Sequence, residues 1–207
     1  MEALNGNWVM EKSLSTGVDA IFKLQGVSWP LRKALSLATG YTDISVHPQN
    51  EETDLAGTVI ESTQTATGGL AGAQERRVLD WAPEDHKDYV FGRVQNQNRA
   101  VFGSDGPCPE LEVQLETSDE KVKKFLRGEV LEDGSASAGF VLEGPSEKRR
   151  DVWVHAVGRN DDNGWTSEQV WGFEEINGQR CHTRRVVVMN KKGQIAMARI
   201  VFSRYTK

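Results

Sequence analysis

Two side chains in the second half of the sequence are suited to proton transfer and anion binding, namely His155 and Arg199. A histidine titrates near neutral pH and can act as a general acid or base. A buried guanidinium group requires an anionic or strongly polar partner. If the surrounding segments are strands, alternating positions share one face of a sheet. We predict an inward-facing site in which His155 and Arg199 are catalytic and the following residues bind the substrate: Trp153, Trp165, Gln169, Trp171, Phe173, Thr183, Arg185 and Met197.

The same residues also have structural interpretations, which the sequence leaves open. His155 is more typical of a hydrogen-bonded or outward-facing histidine than of a catalytic one, and Arg199 is equally typical of an internal salt bridge, for instance with Glu61. Tryptophans are more often core residues than substrate platforms, although six is a high number for one barrel. The basic clusters Lys148-Arg149-Arg150 and Arg184-Arg185 are typical of a solvated face or loop.

Motifs for other kinds of catalysis are absent from the sequence. We find no nucleophile elbow, no phosphate-binding Walker loop, no dinucleotide fingerprint and no His and Cys residues at metal-ligand spacing. We therefore predict neither a metal nor a cofactor. Cys108 and Cys181 lie far apart without a CxxC motif, and we expect both to be free thiols in a reducing compartment.

Length and composition indicate a folded chain rather than a disordered one. The 207 residues, 38% hydrophobic and 27% charged, suit a single domain over residues 1–207. The net charge of -5 argues against a nucleic-acid partner. Because we find neither a signal peptide nor a membrane-spanning apolar run, we expect a cytoplasmic protein without membrane insertion. The oligomeric state is not indicated.

Two kinds of periodicity predict the elements that would position the site. Apolar residues at helical spacing predict a helix-turn-helix cap over residues 17–39, after a first strand at Asn7–Ser13. Beyond Gly40, alternating runs between turn residues predict antiparallel strands. These are Tyr41–His47, Gly57–Thr65, Gln74–Trp81, Tyr89–Gln95, Arg99–Phe102, Gly139–Leu142, Asp151–Val157, Trp165–Phe173, Arg180–Met189 and Gln194–Tyr205. We interpret residues 103–147 as an insertion with a short helix N-capped by Ser118, either a lid or a surface excursion without a role at the site.

The N-terminal residues resemble a known superfamily. Gly6-Asn7-Trp8 is similar to the Gly-x-Trp motif that opens the first strand of calycins. The following helix pair, with Leu24–Ser28 between its helices and Arg32-Lys33 in the second, resembles the lid of intracellular fatty-acid-binding proteins. The hairpin of residues 180–205 resembles the last strands of that family. The N-terminal block also resembles fungal lipocalin-like proteins of specialised-metabolite gene clusters.

Together with the predicted elements, this resemblance implies an all-β fold, an antiparallel calycin-type β-barrel of about ten strands with an N-terminal two-helix cap, to which the sequence adds one helical insertion. It also implies that Trp8 plugs the barrel base beneath a basic residue, for which we choose Arg204. One motif departs from the family. Fatty-acid-binding proteins hold the ligand carboxylate with an Arg-x-Tyr on the last strand, whereas Arg199 is followed two residues later by Val201. The expected ligand is therefore not an ordinary fatty acid.

A barrel of this size is too wide for its own side chains to fill, so we expect a cavity that holds a hydrophobic small molecule. By analogy with the lipocalin-like biosynthetic proteins, we predict a cofactor-free cyclase or isomerase that promotes a pericyclic ring closure or an intramolecular hydroalkoxylation. The alternative is a non-catalytic intracellular carrier of a lipid or other apolar ligand. A third interpretation is a protein-interaction barrel with a filled core.

Overall fold

Ten antiparallel strands and three α-helices are present in the part of the chain that the computed structural model describes, residues 1–48, 55–70, 72–103, 107–142 and 152–206. The strands are β1 (Gly6–Met10), β2 (Gly40–His47), β3 (Val59–Ala66), β4 (Ala73–Val78), β5 (Glu84–Asp88), β6 (Gly92–Phe102), β7 (Val152–Asn160), β8 (Trp165–Ile176), β9 (Gln179–Asn190) and β10 (Ile195–Arg204). The helices are α1 (Val18–Leu24), α2 (Trp29–Leu37) and α3 (Glu120–Arg127).

All ten strands belong to one curled sheet with the order β4-β3-β2-β1-β10-β9-β8-β7-β6-β5. The first and last strands pair at its centre, where Trp8 lies opposite Arg204. The chain between the edge strands β4 and β5 is tied to β6, because Trp81 donates its backbone N–H to the carbonyl of Asn98 at 2.8 Å. The predicted all-β antiparallel barrel of about ten strands with a two-helix cap is confirmed.

The base of the barrel is closed by the residues of the Gly-x-Trp motif. The Trp8 side chain is buried, and its Nε1 donates a hydrogen bond to the carbonyl of Leu4 at 2.9 Å. The guanidinium carbon of Arg204 lies 4.7 Å from the centre of the indole ring, which confirms the predicted partner. Apolar residues of several strands pack around Trp8 and fill this end: Leu4, Ile44, Ile60, Leu79, Val154, Trp171 and Phe202.

The cap is fixed to the sheet at its first residue. Gly17 has a φ of 72°, and a Cβ at this position would lie 2.0 Å from the carbonyl oxygen of Met197 on β10. Thr16 and Arg199 exchange backbone hydrogen bonds of 2.9 and 3.2 Å beside it. A glycine is therefore required both by the left-handed backbone and by the close approach. Helix α1 buries Ile21 against the barrel, whereas α2 has no fully buried residue.

Residues 107–142, which lie between β6 and β7 and are called the outer segment below, pack on the outer face of the barrel. Helix α3 begins after Asp119, whose side chain accepts the N–H of Lys121 at 2.9 Å, so the predicted N-cap Ser118 is wrong by one residue. The buried face of α3 meets outward-facing residues of β7, β8 and β9 in one apolar cluster, which contains Val122, Phe125, Leu126, Trp153, Val170 and Val187. For residues 107–142, the interpretation as a lid is wrong, because this segment covers an apolar outer surface of the sheet instead.

Three strand predictions in the middle of the chain need correction. Gly139–Leu142 is not a strand, since Phe140 and Val141 bond to different partners, the carbonyls of Pro107 and Phe173. The predicted strands Tyr89–Gln95 and Arg99–Phe102 are parts of one long strand, β6, except that residues 89–91 form the turn that connects it to the unpredicted strand β5. Strand β5 lacks an apolar alternation because it is a charged edge strand. No helix in the described residues is long and apolar enough to cross a membrane.

The tight contact between β8 and the outer segment yields a stability prediction. A Cβ at Gly172 would lie 2.6 Å from Cδ1 of Phe140 and 2.7 Å from Cδ1 of Trp153. We expect Gly172→Ala to lower the free energy of unfolding by about 1–3 kcal/mol through overpacking, measured by urea denaturation. Gly40→Ala is the matched control, because its Cβ would meet only Cβ of Met10, at 3.9 Å. Equal stability of the two variants would contradict this packing.

Candidate functional site

A cavity of about 560 Å³ lies between the cap and the inner face of the sheet. Both cap helices and strands from both halves of the sheet contribute to its wall. Its apolar lining includes Ile21, Phe22, Leu35, Tyr41, Phe91, Val94, Trp165, Val186, Ile200 and Phe202. A largely apolar cavity with a few polar groups is typical of a small-molecule site.

A charged cluster of Glu75, Arg77 and Arg184 (hereafter the charged cluster) lines the same cavity. Arg77 forms an ion pair with Glu75, and its Nη1 donates a hydrogen bond of 2.6 Å to Oδ1 of Asn98. Burial raises the pKa of Glu75, but the charges of Arg77 and Arg184 outweigh it, so that the pKa is lowered on balance. Glu75 is therefore a carboxylate at neutral pH. Glu75 is paired with Arg77 and feels the charge of Arg184, so the cluster of one carboxylate and two guanidinium groups carries a net positive charge.

The guanidinium group of Arg184 lies over the ring of Trp171, near Phe202, and is only partly hydrogen-bonded. Its central carbon is 3.8 Å from the ring centre of Trp171 and 5.2 Å from that of Phe202. In the described part of the chain, Nε donates to His182 at 3.3 Å, and Nη2 has no hydrogen-bond partner. Burial, only partly offset by the charge of Glu75, lowers the pKa of Arg184 to about 10. Arg184 thus remains a cation at neutral pH with donors left for a ligand.

Four of the predicted site residues lie on the inner face of the sheet. Trp165 and Gln169 line the cavity itself. Trp171 lies below them, where its Nε1 donates to Oε1 of Gln169 at 3.0 Å. Phe173 is deeper still, with its ring centre 5.9 Å from that of Trp8. The structure therefore brings these four residues of β8 together along the inner face, although only two of them contact the cavity.

The other predicted site residues lie on the outer face of the sheet, and their predicted inward orientation is wrong. They are Trp153, His155, Thr183, Arg185, Met197 and Arg199. Directly opposed residues of antiparallel strands share a face. Val154 is opposite the inward-facing Trp171, and Ile200 is opposite Arg184. Their neighbours His155 and Arg199 consequently point outward, towards the segment between β6 and β7.

An ion network around Glu174 holds the outer segment to the sheet. The Glu174 carboxylate accepts hydrogen bonds from Arg185 at 2.9 and 3.1 Å, from Arg199 at 3.3 Å and from Thr183 at 3.0 Å. Arg185 also donates to the carbonyls of Phe125 and Val130 and to Ser137, at 3.1, 2.6 and 2.8 Å. Arg199 is therefore in an internal salt bridge, as the structural interpretation expected, but its partner is Glu174 rather than Glu61.

A second outer network contains His155. Its Nε2 lies 2.7 Å from Oε1 of Glu168, whose carboxylate also accepts the backbone N–H groups of Gln114 and Leu115. Its Nδ1 accepts a hydrogen bond of 3.0 Å from Nε of Arg99. Burial is the main cause that lowers the pKa of His155, although Glu168 opposes it. Both ring nitrogens are thus occupied by structural partners, and the residue is remote from the cavity.

The charged cluster and His182 are not among the predicted site residues. The interpretation of Arg184-Arg185 as a solvated face or loop is wrong, because the two residues are only 8% and 0% exposed. The signal that could have found them is the adjoining run Val186-Val187-Val188, which is typical of a strand with both faces covered. Lys148-Arg149-Arg150 lies outside the described residues. The described residues contain no group of three or more His, Cys, Asp or Glu side chains that could hold a metal ion.

The position of Arg199 yields a test of these assignments. We expect Arg199→Met to lower the free energy of unfolding by about 1–3 kcal/mol, because a charged hydrogen bond to Glu174 is lost. Its affinity for the fluorescent polyene cis-parinaric acid should match that of the wild-type protein in a fluorescence titration. Weaker binding with unchanged stability would place Arg199 at the ligand and contradict the outward orientation.

No family model matches the chain. Two curated fungal proteins are similar to it along most of its length. The probable pericyclase scpY of Mollisia scopiformis is 27% identical over 188 residues, which cover 91% of this chain and 82% of that protein. The pericyclase pydY of an Acremonium species is 26% identical over 199 residues, which cover 95% of this chain and 89% of that protein.

Several solved structures with the same fold are named as fatty-acid-binding proteins or fatty-acid transporters. The Schistosoma mansoni fatty acid binding protein, in complex with arachidonic acid, has a TM-score of 0.53 at 12% identity, covering 100% of this chain and 98% of that one. The REP1-NXSQ fatty acid transporter has a TM-score of 0.54 at 10% identity, covering 100% and 99%. The chain therefore has the calycin-type barrel of the fatty-acid-binding proteins, as its N-terminal residues predicted, and is similar in sequence to fungal proteins named pericyclases.

Proposed function

We propose that the protein binds a linear, mostly apolar small molecule inside the barrel and promotes its pericyclic ring closure without a cofactor, in a biosynthetic role. The observation that carries this proposal is the apolar cavity with a fixed, incompletely hydrogen-bonded guanidinium group, that of Arg184. The likeness to proteins named pericyclases favours ring closure over hydroalkoxylation. We also propose that residues 1–207 act as one domain.

Confinement would supply the first part of the rate enhancement. A pericyclic reaction forms and breaks its bonds in one cyclic transition state, so it needs no nucleophile on the protein. Its main obstacle in a flexible chain is the loss of conformational freedom when the reacting ends meet. Walls from α1, α2 and the sheet would hold the folded conformer, and correct orientation of reacting groups can contribute several kcal/mol. The rigid aromatic side chains of Trp165 and Phe202 suit this role.

Hydrogen bonding from Arg184 would supply the second part. A reacting alkene that is conjugated to a carbonyl group becomes more electron-poor when the carbonyl oxygen accepts a hydrogen bond from a cation. The donor is most effective where water is excluded and where it does not have to reorganise. Arg184 meets both conditions, since it is 8% exposed and stacked on Trp171. The arrangement therefore favours a substrate with a carbonyl oxygen next to the reacting alkene.

The proposal is tested by turnover of a linear polyene in which a diene and a conjugated ketone are joined by a flexible chain. We expect the purified protein to increase the rate of ring closure, or to change the stereochemical ratio of the products, as measured by chiral liquid chromatography. Binding of the polyene without either change would assign the protein to the carrier function instead.

Arg184→Met should lower the rate of ring closure by about 10²- to 10³-fold, the usual effect of removing one preorganised donor. Arg159→Met is the matched control, because this arginine of β7 donates to Oε1 of Gln97 at 2.6 Å and does not line the cavity. Thermal unfolding of both variants reports whether they fold. Retention of the wild-type rate in a folded Arg184→Met protein would exclude the proposed polarisation.

A further inference from the structure

We infer that His182 is a positioning residue, which fixes the guanidinium group of Arg184 so that its Nη donors are left for the oxygen of a ligand. His182 precedes Arg184 by two residues on β9, so both side chains are on the inner face. The inference rests on the proposed function in one respect, because it assigns to Arg184 the ligand contact described above.

The surroundings of His182 exclude water and hold the ring in place. The residue has no exposed surface, and four aromatic rings enclose it. Their centres lie 5.5, 6.2, 5.8 and 5.4 Å from that of the imidazole for Trp8, Trp171, Phe173 and Phe202, respectively. Phe202 is stacked on it at an interplanar angle of 23°. A ring packed on so many sides cannot turn without disturbing the base of the barrel.

The two hydrogen-bond partners of the imidazole determine its tautomer. Nδ1 lies 3.2 Å from the carbonyl oxygen of Gly172, and a carbonyl oxygen can only accept. Nδ1 must therefore carry the proton. Nε2 lies 3.3 Å from Nε of Arg184, and a guanidinium group can only donate. Nε2 is consequently the acceptor, and the backbone of β8 sets the orientation of Arg184 through the imidazole.

This arrangement requires a neutral histidine, and the environment provides one. Burial is the main cause that lowers the pKa of His182, to about 3, and the charge of Arg184 acts in the same direction. The hydrogen bond to Gly172 opposes the shift only in part. His182 therefore keeps the same tautomer over the whole range in which the protein is expected to work. Arg184 loses little conformational freedom when a ligand binds, because it is already held.

Long-range 1H–15N correlation spectra of 15N-labelled protein test the tautomer directly. The chain has four histidines, and the signals of His182 are identified by their absence in His182→Gln. We expect a neutral ring protonated on Nδ1, without change between pH 5 and pH 8. A ring protonated on Nε2, or one that titrates near its ordinary pKa, overturns the inference because it could not accept from Arg184.

The role towards a ligand is tested with cis-parinaric acid and its methyl ester, by fluorescence titration. We expect the wild-type protein to prefer the acid by about tenfold, the effect of one charge-assisted hydrogen bond. His182→Leu and Arg184→Met should both lose this preference. His182→Gln should retain it, because an amide can also donate to Gly172 and accept from Arg184. Val187→Ala, an outward-facing core substitution on the same strand, should keep the preference despite lower stability.

Three results would contradict the inference. They are retention of the wild-type preference by His182→Leu, loss of the preference in His182→Gln, and equal binding of acid and ester by the wild-type protein. Each of these outcomes would show that His182 does not prepare Arg184 for a ligand oxygen. Ring closure is measured separately, so a positive turnover result would leave the proposed function standing even if this inference fails.

Discussion

Successive side chains of a strand point to opposite faces, and in this protein both faces of the central strands are buried. On β9, Arg184 contributes to the barrel cavity, whereas its neighbour Arg185 is buried beneath the outer segment. The alternation makes β8 and β9 the shared wall of two interiors. Alternate residues of the same strands therefore line the cavity and anchor the outer segment.

The buried charged groups of the two interiors have different hydrogen-bond partners. In the outer layer, the Glu174 carboxylate is surrounded by Arg185, Arg199 and Thr183, and Arg185 also donates to the outer segment. In the described part of the cavity, Arg184 donates a hydrogen bond through Nε to His182, whereas its Nη2 has no hydrogen-bond partner. An unpaired donor alone does not identify a ligand site, since Nε of the outward-facing Arg199 also has no partner among the described residues. The difference is one of place: Arg184 lines the cavity, where a ligand can contribute the missing partner, whereas Arg199 lies on the outer face of the sheet.

Much of the fold could be predicted from the sequence because its signals are local. The turn glycines and the alternating runs indicate an antiparallel sheet of about ten strands, and apolar residues at helical spacing indicate the cap. The resemblance carried by the Gly-x-Trp motif and the helix pair implies the barrel and the contact between Trp8 and Arg204. The strand β5 was missed because its residues, Glu84–Asp88, are charged at an edge. The candidate site was harder. Alternation shows which residues share a face but not which face is inward, and on β7–β10 both faces carry aromatic and charged residues. Only the packing of residues 107–142, a contact distant in sequence, decides between the two.

The close contact of Gly17 with β10 also determines which part of the cap has freedom. Because no carbon atom fits between residue 17 and the carbonyl of Met197, the start of α1 is held directly against β10. Helix α2 has no fully buried residue, and its Trp29 and Leu37 are 67% and 72% exposed. Lifting α2 would sacrifice little buried apolar surface, whereas lifting α1 would expose Ile21 and break its junction with β10. For a molecule that enters or leaves through the cap, displacement of α2 therefore costs less free energy than displacement of α1. The entrance would lie at α2, and the fixed point of the cap at the start of α1.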